Sequence, residues 1–365
     1  MKLFIAGDLV PTDKTDPYLK KGDLETTFSD VRTLVKGADL FIVNLECALT
    51  DSENPIRKWG PNLKGSPECA KALRALGVTD ASLSNNHVYD FGRQGYYDTL
   101  AALDNASIRY TGVGENEKDA RKNHYMPIGS KTVALVATGD REYTYALKNR
   151  EGIRAFDPIE TLEDIREAKR YADFVICTYH GGSEQCRYPS PRVRKICQGM
   201  VRAGADLVLC QHSHVIGMPE EYMGGLIVYG QGNFNFIRLD HPHWQSGLLL
   251  EINFDDDMKP EYTFHPVVTK EHGITLAKGN EKEDILNGFF ERAEMLKDEK
   301  IWLENWHEFC VQETWRYKDS IKTAFEKDPD QPYEWFRHYL ETDAHSDVWK
   351  ELYPTWCANN TLEER

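Results

Sequence analysis

Gly204-Ala205-Asp206-Leu207-Val208-Leu209-Cys210-Gln211-His212-Ser213-His214 is an apolar run, flanked by polar residues, that ends in two histidines. It is too short for a lone helix and has the unbroken hydrophobicity of a parallel strand buried on both faces. In open α/β sheets, ligands bind in the crevice beyond the carboxyl ends of the strands. The two imidazoles therefore stand where a site is expected.

Four other stretches repeat the pattern. Residues 2–6 run into Gly7-Asp8, 37–43 into Asn44-Leu45-Glu46, 77–83 into Ser84-Asn85-Asn86-His87, and 171–177 into Thr178-Tyr179-His180. An isolated Asp or His after a strand is usually a cap or turn residue. Five strands that each end in a metal-ligating residue type read instead as one shared site. Helical stretches at 24–36, 67–76 (Ser66 as N-cap, Pro67 at the first position), 92–105, 161–170 (Thr161 as cap) and 189–203 supply the crossovers that parallel neighbours require. Residues 126–138 read as a hairpin around Gly129-Ser130, and 50–65 as a long loop. The stretch 139–158 has no assignable pattern. Beyond His214 the strands turn antiparallel, at 217–233 around Gly224-Gly225 and at 247–254 and 261–268 around Asp255-Asp256-Asp257.

The fold class is therefore α/β, with a first domain over 1–278. Residues 279–365 form a second, α-helical region carrying Trp302, Trp306, Trp315, Trp335, Trp349 and Trp356. Tryptophan at that density is costly to leave in water, so this extension is expected to pack on the main domain or to meet a partner protein.

Composition narrows the function classes. Hydrophobic content of 41% and charged content of 28% are those of a soluble globular chain. A net charge of -15 argues against nucleic acid as a partner, and hence against a nuclease. It leaves room for a small anionic substrate at a metal-lined pocket. The eight cysteines include no C-x-x-C pair, and Cys177 and Cys210 fall inside strands, so reduced structural thiols are expected. The short apolar stretch at the N-terminus is no signal sequence and no run reaches the ~20 apolar residues of a membrane span, so a cytoplasmic location is expected.

The strand ends offer Asp8, Glu46, Asn86, His180, His212 and His214 as ligands. This O/N set suits Mn²⁺, Fe²⁺ or Zn²⁺. Six exceed the three or four of one catalytic zinc and suit two ions, which in paired sites lie about 3.5–4 Å apart and clamp a phosphoryl group. His87 follows Asn86 directly and is the candidate general acid, with Asp90 three residues on to orient its ring. Arg57 and Lys58 in the long loop are candidate substrate cations, whereas Arg192, Arg194 and Lys195 read as a solvated helix face. His241 and His243 read as rim residues.

Gly7-Asp8, Asn44-Leu45-Glu46, Leu83-Ser84-Asn85-Asn86-His87 with Asp90-Phe91-Gly92, His180-Gly181-Gly182 with Glu184, and His212-Ser213-His214-Val215 with Tyr229-Gly230-Gln231-Gly232-Asn233-Phe234 resemble, in order over about 1–250, the CapA family of capsule and poly-γ-glutamate synthesis proteins. That family is similar to calcineurin-like metallophosphoesterases. The resemblance implies a sandwich of two mixed β-sheets flanked by helices. It also implies Asp8 as ligand of one ion, Glu46 in the bridging place, Asn86, His180, His212 and His214 as further ligands, and His87 as catalytic histidine. Asn44, Asn85, Glu184 and Asn233 join Arg57 and Lys58 as candidate substrate contacts. The phosphoesterases carry a histidine two residues after the first aspartate. Here that residue is Val10, which leaves the first ion one ligand short and the expected complement at one or two.

The expectation is a metal-dependent hydrolase using metal-activated water on a phosphoester or related bond in capsule, poly-γ-glutamate or other surface-polymer synthesis. The alternative is a non-enzymatic accessory protein that keeps the fold.

Overall fold

The computed structural model describes residues 1–240, 242–325 and 332–356, with side chains for all of these but 242, 332, 333 and 354–356. Strands β1 (Lys2–Leu9) and β2 (Leu40–Leu45) are joined through three short helices, Asp16–Leu19, Leu24–Phe28 and Val31–Leu34. The single helix expected over 24–36 breaks at Ser29, whose φ of 40° lies outside the helical region. Helix α1 (Cys69–Leu76) leads to β3 (Asp80–Ser82), and α2 (Gly92–Asn105) leads to β4 (Arg109–Thr111). The expected hairpin is β5 (His124–Ile128) and β6 (Lys131–Gly139). Then α3 (Glu160–Tyr171), β7 (Phe174–His180), α4 (Pro191–Ala203) and β8 (Leu207–Gln211) alternate.

Two caps differ from the sequence reading. The N–H and hydroxyl of Ser66 both donate to Asp16, at 2.6 and 2.8 Å, so α1 starts later, at Cys69. Thr161 is inside α3, whose first N–H groups, those of Ile159 and Glu160, donate to Asp157. Ser66 is thus tied to Asp16, 50 residues away, whereas the acceptor at the start of α3 is Asp157, four residues before Thr161.

The chain continues through β9 (Pro219–Tyr222), β10 (Gly225–Tyr229), β11 (Asn233–Asn235), β12 (Ser246–Phe254), β13 (Pro260–Lys270) and β14 (Gly273–Leu276). One sheet runs β14-β13-β12-β1-β2-β3-β4, with β11 also paired to β1; the other runs β9-β10-β8-β7-β6-β5. Both are mixed. β1 to β4 are mutually parallel, as are β6, β7, β8 and β10, and the edge hairpins are antiparallel.

The sheets pack face to face over Leu3, Ile5, Leu40, Ile42, Ile176, Leu209 and Leu250. Alternate residues Phe4, Ala6, Phe41 and Val43 face the helices on one outer side, and Val175, Cys177 and Val208 those on the other. The result is the expected sandwich of two mixed sheets flanked by helices.

Four helices close the chain: α5 (Gly279–Met295), α6 (Glu299–Phe325), α7 (Pro332–Glu341) and α8 (Asp343–Trp356). They dock on the sandwich through polar as well as apolar contacts. Arg292 donates to the carbonyls of Gly217 and Ile216, and the indole N–H of Trp302 to that of Pro189 at 2.9 Å. Asp347 is buried and accepts from Ser190 Oγ at 2.6 Å and Arg192 Nε at 2.9 Å. Trp306 is buried in a cluster with Cys186, Tyr317 and Val348, whereas Trp315 is exposed. The side chain of Trp356 lies outside the described residues. No helix among the described residues is long and apolar enough to cross a membrane. The seven cysteines among them are buried thiols, none in a disulfide.

Candidate metal centre

Strand periodicity aims the site into the gap between the sheets. On β2, Asn44 has the parity of Leu40 and Ile42, and on β7 His180 has that of Phe174 and Ile176, so both continue the face that carries the inter-sheet core. The register of β1 against β2 is irregular between Ile5 and Asp8. Such an irregularity re-aims a side chain, and Asp8 accepts from Asn44 Nδ2 at 2.7 Å. Gly7 permits this approach: a Cβ there would lie 2.1 Å from the carbonyl oxygen of Gly232.

His212 and His214 follow β8 with φ of 82° and 58°. Left-handed backbone is unfavourable for histidine and concentrates at functional sites. The His212 N–H donates to Asp8 Oδ2 at 3.1 Å, which offsets part of that cost.

Glu46 is the centre of the cluster. It is fully buried, and neither carboxylate oxygen receives a hydrogen bond. Its Oε1 is 3.2 Å from His180 Nε2 and 3.8 Å from His214 Nε2. Two groups of ligand atoms within 4.8 Å of one another share it: Glu46 with His212 and His214, and Glu46 with Asp8 and His180. A buried carboxylate without hydrogen bonds costs several kcal/mol unless a cation meets it. The donor set of carboxylate oxygens and imidazole nitrogens fits a divalent metal.

Electrostatics point the same way. Burial works against the charge on Asp8, but the His214 hydrogen bond and the rings of His180 and His214 hold its carboxyl at about 2. Burial also disfavours the cationic His214, yet Glu46 and Asp8 push its pKa up to about 10. His180 is raised in the same sense, burial again opposing and Glu46 prevailing. The carboxylates thus demand positive charge here, which protons or a metal ion can supply.

The other sequence-predicted residues fall into three places. Asn86 bridges, its Oδ1 2.9 Å from His180 Nε2 and its Nδ2 donating to Glu142 Oε2 at 3.1 Å. Asn44, Asn85 and Asn233, expected to touch substrate, are engaged behind the ligands. Asn44 joins Asp8 to His180, Asn85 donates to Asn44 and to the Leu45 carbonyl, and Asn233 Oδ1 is 3.0 Å from His214 Nδ1. They are placed to orient the candidate ligands. Val10 is buried in the apolar core and brings no donor.

His87 Nδ1 is 2.6 Å from Asp90 Oδ2, and Asp90 Oδ1 is 2.5 Å from Lys58 Nζ. Lys58, expected to hold substrate, lines the cavity over the site and is the buried counter-ion of Asp90. Arg57 is two-thirds exposed and paired with Glu334 of α7, away from the cavity lining. Glu184 lies on that lining. Arg192 and Arg194 are not a solvated face: they pair with Asp347 and Glu220. His243 is on a short 3-10 turn and accepts from Arg187; His241 lies outside the described residues.

Glu142 was not legible as a site residue, because it falls in the patternless stretch 139–158. It is buried beside Asn86 with Oε1 3.6 Å from His212 Nε2. Burial raises its pKa, but His212, His338 and Lys58 outweigh that and hold it at about 2. A cavity of about 240 Å³ opens onto Asn86, His87, Glu142 and His212, and its opposite wall is made by α6, α7 and the start of α8.

Residues 2–237 match the family model of the bacterial capsule synthesis protein PGA_cap. The chain is 31% identical over 246 residues to the capsule biosynthesis protein CapA of Bacillus anthracis, a match covering 65% of this chain and 60% of that one. It is 30% identical over 234 residues to the PGA biosynthesis protein CapA of Bacillus subtilis, covering 63% and 62%. The chain thus spans about three fifths of the length of these relatives. A solved structure described as a novel phosphatase from Mycoplasma pneumoniae superposes with a TM-score of 0.46 at 12% identity, covering 73% of this chain and 93% of that one.

Proposed function

Because this chain belongs to the bacterial capsule synthesis protein PGA_cap family, we propose that it is a metal-dependent hydrolase acting on an anionic substrate of capsule or poly-γ-glutamate synthesis. The observation that carries this reading is the buried Glu46 carboxylate, bare of hydrogen bonds and shared by two ligand groups. Asp8, Glu46, Asn86, His180, His212 and His214 would hold one or two ions, of which Mn²⁺, Fe²⁺ and Zn²⁺ suit the donors. Bound there, such ions supply Lewis acidity to a phosphoryl or carbonyl oxygen and a nucleophilic water.

The chain's own residues do the rest. The His87–Asp90 bond places a proton on Nδ1 and leaves Nε2 to exchange a proton at the cavity, so His87 can protonate a leaving oxygen. Asp90 fixes the ring, and Lys58 balances the carboxylate that would otherwise be an uncompensated buried charge. Asn44, Asn233 and Glu142 hold the rings and the Asn86 amide in place.

A panel of phosphate esters and γ-glutamyl peptides tests the reading on the Mn²⁺-loaded chain. Turnover that disappears in His87→Ala while bound metal stays supports it. The second reading, an accessory protein that keeps the fold, draws on Val10, which brings no ligand to the first ion. No turnover on any substrate with metal bound would favour that reading.

A further inference from the structure

The family match ends at residue 237, yet one wall of the cavity over the candidate centre is built from residues beyond it. Resting on the hydrolase reading above, we propose that the C-terminal helices form a size-selecting roof, so that the site accepts a small anionic molecule or the end of a polyanionic chain and excludes a chain passing through.

Three observations carry this. The first is volume: about 240 Å³ lies below the ~300–1,000 Å³ of pockets that enclose drug-sized ligands. The second is a hydrogen-bonded chain across the roof. Tyr317 Oη is 2.7 Å from His345 Nδ1, His345 Nε2 is 3.1 Å from His338 Nε2, and His338 Nδ1 is 3.2 Å from Thr342 Oγ1. The facing nitrogens require one donor and one acceptor, and with one proton on each ring the chain reads consistently from Tyr317 to Thr342 or in reverse. Burial lowers both imidazole pKa values, that of His345 to about 3, in accord with neutral rings. Such a chain fixes the position of every member, and Tyr339 stacks on His345 at 4.0 Å.

The third is that the roof is fastened rather than loose. On one side Trp59 of the long loop stacks on Trp335 at 4.8 Å with an interplanar angle of 6°, next to the Arg57–Glu334 pair. On the other, Arg192 ties Asp347 of α8 to Tyr179, the residue before His180. A wall held from both sides does not swing aside to admit a polymer lengthwise. Charge on the lining is mixed, with Lys58 and Arg316 against Glu142, Glu184 and Glu313, so the roof selects by size and the candidate centre beneath it selects for negative charge.

The test is calorimetric titration of the Mn²⁺-loaded full chain with γ-glutamyl oligomers of one to eight residues. The roof predicts affinity that rises over the first one or two residues and then stays level. In His338→Ala/His345→Ala, affinity for the longest oligomers should exceed wild type by about tenfold, or ~1.4 kcal/mol, with metal content unchanged. Trp335→Ala, which loosens the fastening, should shift the profile in the same direction, and serves if the double variant does not fold. Wild-type affinity that climbs steadily to the octamer, or no binding of any oligomer, overturns the proposal. A level profile without turnover would remove the hydrolase reading alone. Turnover with a climbing profile would remove the roof alone.

Discussion

Oε1 of Glu46 lies 3.2 Å from Nε2 of His180, and neither oxygen of that carboxylate receives a hydrogen bond. A fully buried acid in this condition is tolerated where a cation completes it. Glu46→Gln keeps shape and removes the charge. It should weaken Mn²⁺ binding by more than about 100-fold, beyond the 10–100-fold typical of outer-sphere losses. Equilibrium dialysis with elemental analysis measures it, and an unchanged affinity would count against Glu46 as a ligand.

On the proposed reading Asn233 and Glu142 hold ligands rather than ions. Asn233→Ala frees the His214 ring, and Glu142→Gln removes the charge beside Asn86 and His212. Each should cost about 10–100-fold in metal affinity. Effects as large as that of Glu46→Gln would make them direct ligands instead.

On the proposed reading His87 and Asp90 act on the proton and not on the metal. His87→Ala should lower kcat by about 10²–10⁴-fold with metal content unchanged. Asp90→Asn, which releases both His87 and the buried Lys58, should also lower stability, by about 3 kcal/mol in urea unfolding. Loss of metal in His87→Ala would move that residue into the ligand set.

The pH dependence has a defined sign. In the metal-stripped chain, Asp8 at about 2 against 3.8 contributes stability that is complete above pH 3.8 and is lost as pH falls toward 2. His214 at about 10 against 6.5 contributes stability that is complete below pH 6.5 and is lost as pH rises through 10. Metal ligation needs neutral imidazoles, so the Mn²⁺-induced rise in Tm should grow from pH 6 to pH 9 while the stripped chain loses stability. Scanning calorimetry with and without chelator reads both. A Mn²⁺ effect independent of pH would contradict this charge assignment.

Arg192 is half-buried between Asp347, Tyr179 and Asp140. Arg192→Ala leaves two buried carboxylates without their cation and should cost about 3 kcal/mol. Because one of those carboxylates is on α8, early proteolytic cleavage within the C-terminal helices should accompany the loss.

The fold was legible where local pattern and tertiary context agree. The apolar run before His212 predicts a buried parallel strand, and β8 occupies it; the same holds for β1, β2 and β7. Ser66 differs because it is tied to Asp16, 50 residues away, which local sequence does not reveal, and Thr161 because Asp157, four residues before it, is the acceptor. At the site, strand-end residues were legible because strand direction alone sends them to one crevice. Glu142 was not, since it follows β6 on an irregular segment without periodicity. Nor were His338 and His345, brought over the crevice by helices whose docking depends on contacts such as Trp302 with Pro189. Arg192 read as a surface cation because its partner Asp347 is 155 residues away.

The most direct test of the account is anomalous diffraction at the Mn and Zn edges from crystals of the metal-loaded chain. One or two peaks are predicted within bonding distance of the Glu46 carboxylate, at the Asp8–His180 group, at the His212–His214 group, or at both. Crystals soaked in either metal that show no peak within bonding distance of Glu46 would contradict it.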